Sequence, residues 1–385
     1  MARIKLKVGH IIALVVMAIV MIALIVGDAI AYSYAPIITT FFGSGEQLGG
    51  DAAAIEEAAK SGDELVRRLG NEGVVLMKNG ARPDGKPTLP LDKNADGSPI
   101  KVNIFGWGAT DAGFLLAGNG SGRSYVHPDM KVTLLDAFSQ NGFEYNQEII
   151  DIYEEWCTTE DADWGENANW NNRYNTKLKE PVTDTAFPED VRRRAREYSN
   201  TAVIVLSRYS GEYIGRIYDH QPKHDLATDN SRSFNEISTE EESLIKMCTA
   251  NFENVIVVFN TGSIMDMSFL DDPSFGSIDA AMNVGYMGQS GATAIPKILS
   301  GDVNPSGKLA DTVVYDPDVN EITRVNGESS DIVYIEDIYV GYKWYETAAV
   351  EGYYDGKSKF GKTGYDAVVQ FPFGHGLSYT TFDWE

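Results

Sequence analysis

At 385 residues, with 43% hydrophobic and 11% aromatic content, the chain has ample material for a packed core and does not read as disordered. A formal net charge of −24 leaves no basic surface for a polyanion, which argues against nucleic acid as a partner and suits a neutral or cationic substrate. The two cysteines, Cys157 and Cys248, lie too far apart for a metal knuckle or redox pair; they read as separate buried thiols, with a bridge outside the cytosol as the alternative.

In chain order, Arg3, Lys5 and Lys7 precede a run from Ile11 to Val26 that has no charge or strong polar group. The run approaches the ~20 residues needed to span a hydrocarbon core and exceeds the ~7–15 usual for a signal peptide, so residues 1–31 are expected to form a membrane anchor. By the positive-inside rule the basic flank stays in the cytoplasm, which makes a single-pass cell-membrane protein with its main domain outside. Ala29-Ile30-Ala31 has the small-x-small pattern that precedes cleavage, so a secreted chain is the alternative. Residues 32–64 read as a Gly-rich, acidic linker running into a helix over Asp51 to Lys60.

Beyond the linker, apolar runs at Val102-Asn103-Ile104-Phe105, Ala202 to Leu206 and Val255 to Phe259 predict strands. Helical patterns over Leu134 to Asn141 and Glu240 to Asn251 separate them. This alternation predicts an α/β fold with a mainly parallel sheet and helices on its faces. Asn141-Gly142 closes the first helix, and Thr239-Glu240 opens the second with carboxylates at the positive end of its dipole. Residues 158–188 are acidic, Asn-rich and Trp-containing and read as a long loop or insertion. Asn326 to Gly364 reads as a surface crossing with little helix.

Three Gly-rich turns follow strand-like runs: Gly106-Trp107-Gly108, Gly118-Asn119-Gly120-Ser121-Gly122 and Ser210-Gly211-Glu212. Ligands of open α/β sheets bind beyond the carboxyl ends of the strands, so these turns are where a site is expected. The second turn lacks a P-loop lysine and a dinucleotide spacing; it is either a tight loop needing positive φ or a close approach of Ser121 to a polar ligand. Glu212 follows the Ala202 to Leu206 strand by a short turn. A carboxyl held there could be aimed into a cleft as a general acid, although a solvated loop glutamate is the commoner case. Asp163-Trp164-Gly165 follows polar residues that cannot form a buried strand, so Asp163 is not expected to act as a nucleophile. The five histidines are dispersed and Pro222 interrupts His220 to His224, so no metal site is expected.

Taken in order, the motifs resemble the α/β-sandwich domain of family 3 glycoside hydrolases, a group dominated by β-glucosidases. The strings that carry the resemblance include Asn71-Glu-Gly-Val-Val-Leu-Met-Lys-Asn79, Gly118 to Gly122, Ser207-Arg-Tyr-Ser-Gly-Glu212 and Val255-Ile-Val-Val-Phe-Asn-Thr-Gly-Ser263. Gly288-Gln289, Gly301-Asp-Val-Asn-Pro-Ser-Gly-Lys-Leu309, Glu336-Asp-Ile-Tyr-Val-Gly-Tyr342 and Phe371-Pro-Phe-Gly-His-Gly-Leu-Ser-Tyr-Thr-Thr-Phe382 follow. They cover roughly residues 65–385 and imply a six-stranded, mainly parallel α/β sandwich.

The resemblance implies that Glu212 is the general acid/base of a retaining, exo-acting β-glycosidase and that Ser121 contacts the bound sugar. Tyr213 stands where many relatives have Gly, a departure that bears on how Glu212 is placed. The resemblance further implies β-linked oligosaccharide or glycoside substrates and no metal or organic cofactor. The nucleophilic aspartate would come from a TIM-barrel domain in cis or trans, because a barrel needs ~250 residues that the sandwich leaves no room for. A non-catalytic extracytoplasmic module that binds carbohydrate or offers a docking face is the alternative.

Overall fold

The computed structural model describes residues 9, 13, 15–27, 51–82, 84–118, 126–158, 180–208, 235–316 and 336–381. Two compact units divide the chain, residues Met1–Lys60 and Ser61–Glu385.

In the first unit, residues 15–27 are helical and their apolar side chains, from Val15 to Val26, are exposed. Among the described residues no helix is long and apolar enough to cross a membrane, so the spanning helix expected over Ile11 to Val26 is not among them.

The second unit is built on a six-stranded sheet. Its strands are β1 (Val75–Asn79), β2 (Ile100–Phe105), β3 (Phe143–Tyr145), β4 (Thr201–Arg208), β5 (Asn254–Thr261) and β6 (Ala280–Asn283), in the order β1-β6-β5-β4-β2-β3. Every neighbouring pair is parallel except the edge strand β1, which runs antiparallel to β6. A mainly parallel sheet must be covered on both faces, and the near-continuous apolar runs of β4 and β5 supply side chains to each.

Alternation along β4 sends Ala202, Ile204 and Leu206 to one core and Val203 and Val205 to the other. The first core is closed by helices Gln147–Cys157, Glu189–Tyr198 and Thr239–Asn251, the second by Leu134–Gln140 and Ala294–Leu299. Gly142, at φ 79°, follows the helix Leu134–Gln140 and turns the chain into β3.

Two sequence expectations shift. The loop expected over 158–188 falls outside the described residues from 159 to 179, but its last part packs: Glu180, Thr183 and Phe187 are buried around a short helix, Thr183–Ala186. The crossing expected over Asn326 to Gly364 contains the helix Tyr342–Val350. That helix buries Tyr345 and Ala348, three residues apart, in a small satellite core with Tyr354, Val368 and Val369. Two small strand pairs complete the unit, the hairpin β8 (Ser358–Lys359) with β9 (Lys362–Thr363), and β7 (Val313–Val314) with β10 (Val369–Phe371). Cys248 is buried and Cys157 half-buried, and no disulfide joins them.

Candidate active-site edge

The parallel strands deliver their following loops to one edge of the sheet, and these loops are cross-linked by buried polar side chains. At the end of β2, Gly106 adopts φ 95°, and a Cβ there would stand 2.4 Å from the Val205 carbonyl oxygen. Only glycine fits this turn. Its N–H donates to the Tyr153 hydroxyl at 2.7 Å, and the next N–H, of Trp107, donates to Glu180 Oε2 at 2.9 Å. The Tyr153 hydroxyl in turn donates to Glu180 Oε1 at 2.6 Å. Burial pushes the Glu180 carboxyl up to about 8, against the opposing pull of the Tyr153 and Trp107 donors.

Asn260, fully buried near the end of β5, ties two loops and the end of β4 together. Its Oδ1 accepts from Leu115 N–H at 2.6 Å and from Ser207 Oγ at 3.1 Å, and its Nδ2 donates to the carbonyls of Leu115 at 3.0 Å and Gly285 at 2.7 Å. Both donors and both acceptor sites of the amide are used, which makes it a rigid joint. Just beyond, Gly288 N–H donates to Leu116 O at 2.8 Å and His127 N–H donates to Gln289 Oε1 at 3.0 Å. The Gln289 amide also donates to Asp63 Oδ1 at 2.9 Å. The chain on either side of residues 119–125 is therefore fastened to Gly288-Gln289.

At the end of β4, Arg208 is fully buried and forms a two-pronged ion pair with Glu241, Nη1 to Oε1 at 2.7 Å and Nη2 to Oε2 at 2.6 Å. Nη2 also donates to the Glu236 carbonyl at 2.9 Å, and Nη1 to that of Ser207 at 3.0 Å. Glu241 is the third residue of the helix Thr239–Asn251 and completes a capping box with Ser238. Tyr286 reaches the same edge, its hydroxyl donating to the Arg208 carbonyl at 3.3 Å.

Among the described residues no group of three or more His, Cys, Asp or Glu side chains is placed to hold a metal ion. A cavity of about 370 Å³ opens at the opposite edge of the sheet, where Ile100, Thr201 and Asn254 begin their strands.

The family model for the Glycosyl hydrolase family 3 C-terminal domain matches residues 74–379. The chain belongs to glycoside hydrolase family 3. It is 30% identical over 323 residues to a β-glucosidase of Ruminococcus albus, covering 83% of this chain and 28% of that one. It is 31% identical over 338 residues to β-glucosidase A of Butyrivibrio fibrisolvens, covering 83% and 35%. Among solved structures, a β-glucosidase from Paenibacillus barengoltzii superposes with a TM-score of 0.63 at 29% identity, covering 84% of this chain and 30% of that one. The chain thus spans about a third of the length of the curated relatives it matches.

The two residues singled out from the sequence, Ser121 and Glu212, lie outside the described residues, in 119–125 and 209–234, as do Asp163, His220 and His224. The described chain does leave for both segments from this one edge, at Gly118 and Arg208. Sequence reading missed Glu180, Asn260 and the Arg208–Glu241 pair. The pair had a partial signal, since Ser238-x-x-Glu241 before an apolar run is a capping-box pattern and Arg208 stands inside a quoted string. Glu180 had none, because it stands between Lys179 and Pro181 with no motif around it.

Proposed function

We propose that this chain is the sandwich part of a retaining, exo-acting β-glycosidase of the β-glucosidase type. In this reading Glu212 protonates the leaving glycosidic oxygen and then, as a carboxylate, takes a proton from the water that releases the sugar. A barrel aspartate, in cis or trans, attacks the anomeric carbon and forms the glycosyl-enzyme. Ser121 hydrogen-bonds the bound sugar. Substrates are short β-linked oligosaccharides or aryl β-glycosides. The observation that carries the reading is the convergence of the two segments' described ends on one strand edge, within a chain of this family. Carboxyl-terminal strand edges are where open α/β sheets take ligands.

The test is hydrolysis of nitrophenyl β-glycosides by the chain together with a family 3 barrel domain. Glu212→Ala is expected to slow substrates with poor leaving groups by ~10²-fold or more and to spare activated ones once azide is added. Turnover unaffected by the substitution would sink the assignment. Turnover absent with and without the barrel would favour the non-catalytic module. We further propose that the amino-terminal segment holds the chain at a membrane with its main domain outside the cytoplasm; the exposed apolar helix over residues 15–27 supports this reading.

A further inference from the structure

We propose that the cavity at the amino-terminal edge of the sheet binds a neutral, polyhydroxylated ligand of mono- or disaccharide size. Its volume of about 370 Å³ falls within the ~300–1,000 Å³ of small-molecule sites. One wall is the connection from β1 to β2, which is pinned along its length. Asn79 Nδ2 donates to the Leu89 carbonyl and Asn79 Oδ1 accepts from the Leu89 N–H, both at 2.9 Å, and Leu91 N–H donates to the Leu299 carbonyl at 2.8 Å. Asn94 Nδ2 then donates to the carbonyls of Ser98 and Pro99 at 3.1 and 2.8 Å. The other wall is the turn from the helix Glu189–Tyr198 into β4. There Ser199 Oγ donates to the Lys101 carbonyl at 2.6 Å, and the Asn200 carbonyl accepts from the N–H groups of Glu253 and Asn254, both at 3.1 Å. Walls held in this way are shaped before a ligand arrives, which lowers the cost of binding.

The class of ligand follows from the lining. It carries two cations and two anions, and they are matched: Arg82 Nη1 donates to Asp92 Oδ2 at 2.7 Å, and Lys101 Nζ stands 3.8 Å from Glu144 Oε1, too far for a hydrogen bond. A formal ion would leave one pair unbalanced, and the net charge of −24 disfavours an anion in any case. A hydroxyl group both donates and accepts, so neighbouring hydroxyls can serve the carboxylates and the cationic donors at once. Arg82 Nε is buried without a hydrogen bond, with Asp84 Oδ1 3.8 Å away. A buried donor left unpaired is costly, and a ligand oxygen would satisfy it. Asn254 Nδ2 donates to Thr201 Oγ1, and that hydroxyl to Asn200 Oδ1, both at 3.3 Å, a relay that orients the Asn254 amide in the lining. Leu91, Pro99 and Ile100 supply the apolar part, which suits the C–H face of a sugar ring.

In the experiment the full chain is titrated with glucose, cellobiose and myo-inositol, and with glucosamine and glucuronate as charged counterparts. Expected is saturable binding of at least one neutral probe, about fivefold or more tighter than either charged sugar. Equal or tighter binding of a charged sugar would overturn the neutral class, and the absence of saturable binding by every probe would overturn the site.

Location is read from two variants and from hydrogen exchange. Lys101 and Glu144 have half-exposed side chains and pair only loosely, so Lys101→Met and Glu144→Gln leave the fold intact. Each is expected to weaken binding of the neutral probe by about tenfold, the loss of a hydrogen bond to a charged group, with the thermal midpoint of the free protein unchanged. Saturating probe is expected to slow exchange in peptides covering 82–101, 143–145 and 199–201. Parental affinity in both variants would overturn the site, as would slowing confined to 106–116 and 283–289. That second result would put the sugar at the opposite edge and leave the proposed function standing. Turnover enters none of these readings, so failure of the role proposed for Glu212 would leave the cavity's ligand unaffected.

Discussion

Glu180 shows how a single buried carboxyl can make the edge sensitive to pH. Burial raises it from 4.5 to about 8, although two donors, Tyr153 and the Trp107 N–H, pull the other way. Below pH 4.5 it is protonated in folded and unfolded chain alike. As pH rises past 4.5 the unfolded chain releases this proton while the folded chain keeps it up to about 8, so this group's contribution to stability falls across that window. Glu180→Gln removes the titration but points an amide N–H₂ at one of two donors, at a cost of ~1–3 kcal/mol. The variant should therefore be less stable than the parent at pH 5, by a margin that shrinks toward pH 8. Thermal midpoints of both proteins measured across that range check this, and a constant difference would mean that Glu180 does not titrate there. Nothing near Glu180 in the sequence points to its role. Its partners Tyr153 and Trp107 are 27 and 73 residues away and meet it only through the packing of the helix Gln147–Cys157 on the sheet.

At the scale of elements, the helix Thr239–Asn251 serves both the core and the edge. Ser238 accepts from the Glu241 N–H at 3.0 Å and Glu241 accepts from the Ser238 N–H at 2.8 Å, so two of the helix's orphan donors are satisfied reciprocally. Ser238→Ala removes one of these bonds and is expected to cost ~1 kcal/mol, read as a lower urea midpoint at unchanged slope. An unchanged midpoint would mean that the Arg208–Glu241 pair alone holds the helix start. This helix and the strands β2, β4 and β5 were legible in the sequence because their apolar spacing matches their own period. The strand β3 and the helices Glu189–Tyr198 and Tyr342–Val350 were not, because each is short or highly charged and gains its stability from what it packs against.

For the whole molecule, the order β1-β6-β5-β4-β2-β3 puts the two longest apolar strands, β4 and β5, in the middle of the sheet, covered on both faces. The amino terminus follows a separate logic, and its prediction belongs to the entire chain. The full-length protein should sediment with membranes and resist alkaline extraction, while a chain beginning at residue 32 should remain in the supernatant. A full-length chain recovered in the supernatant with its amino terminus intact would reject the anchor, and one starting just after Ala31 would establish cleavage.

What the sequence by itself determined is the class of fold, the main strands and the family, because these depend on local periodicity and on strings of neighbouring residues. Only the tertiary structure decided that Asn260 meets Leu115 and that Arg208 meets Glu241, since these contacts join residues distant in sequence. A buried polar group is recognised by the partner that satisfies it, and that partner is chosen by the packing of the sheet, not by the residues beside it in the chain.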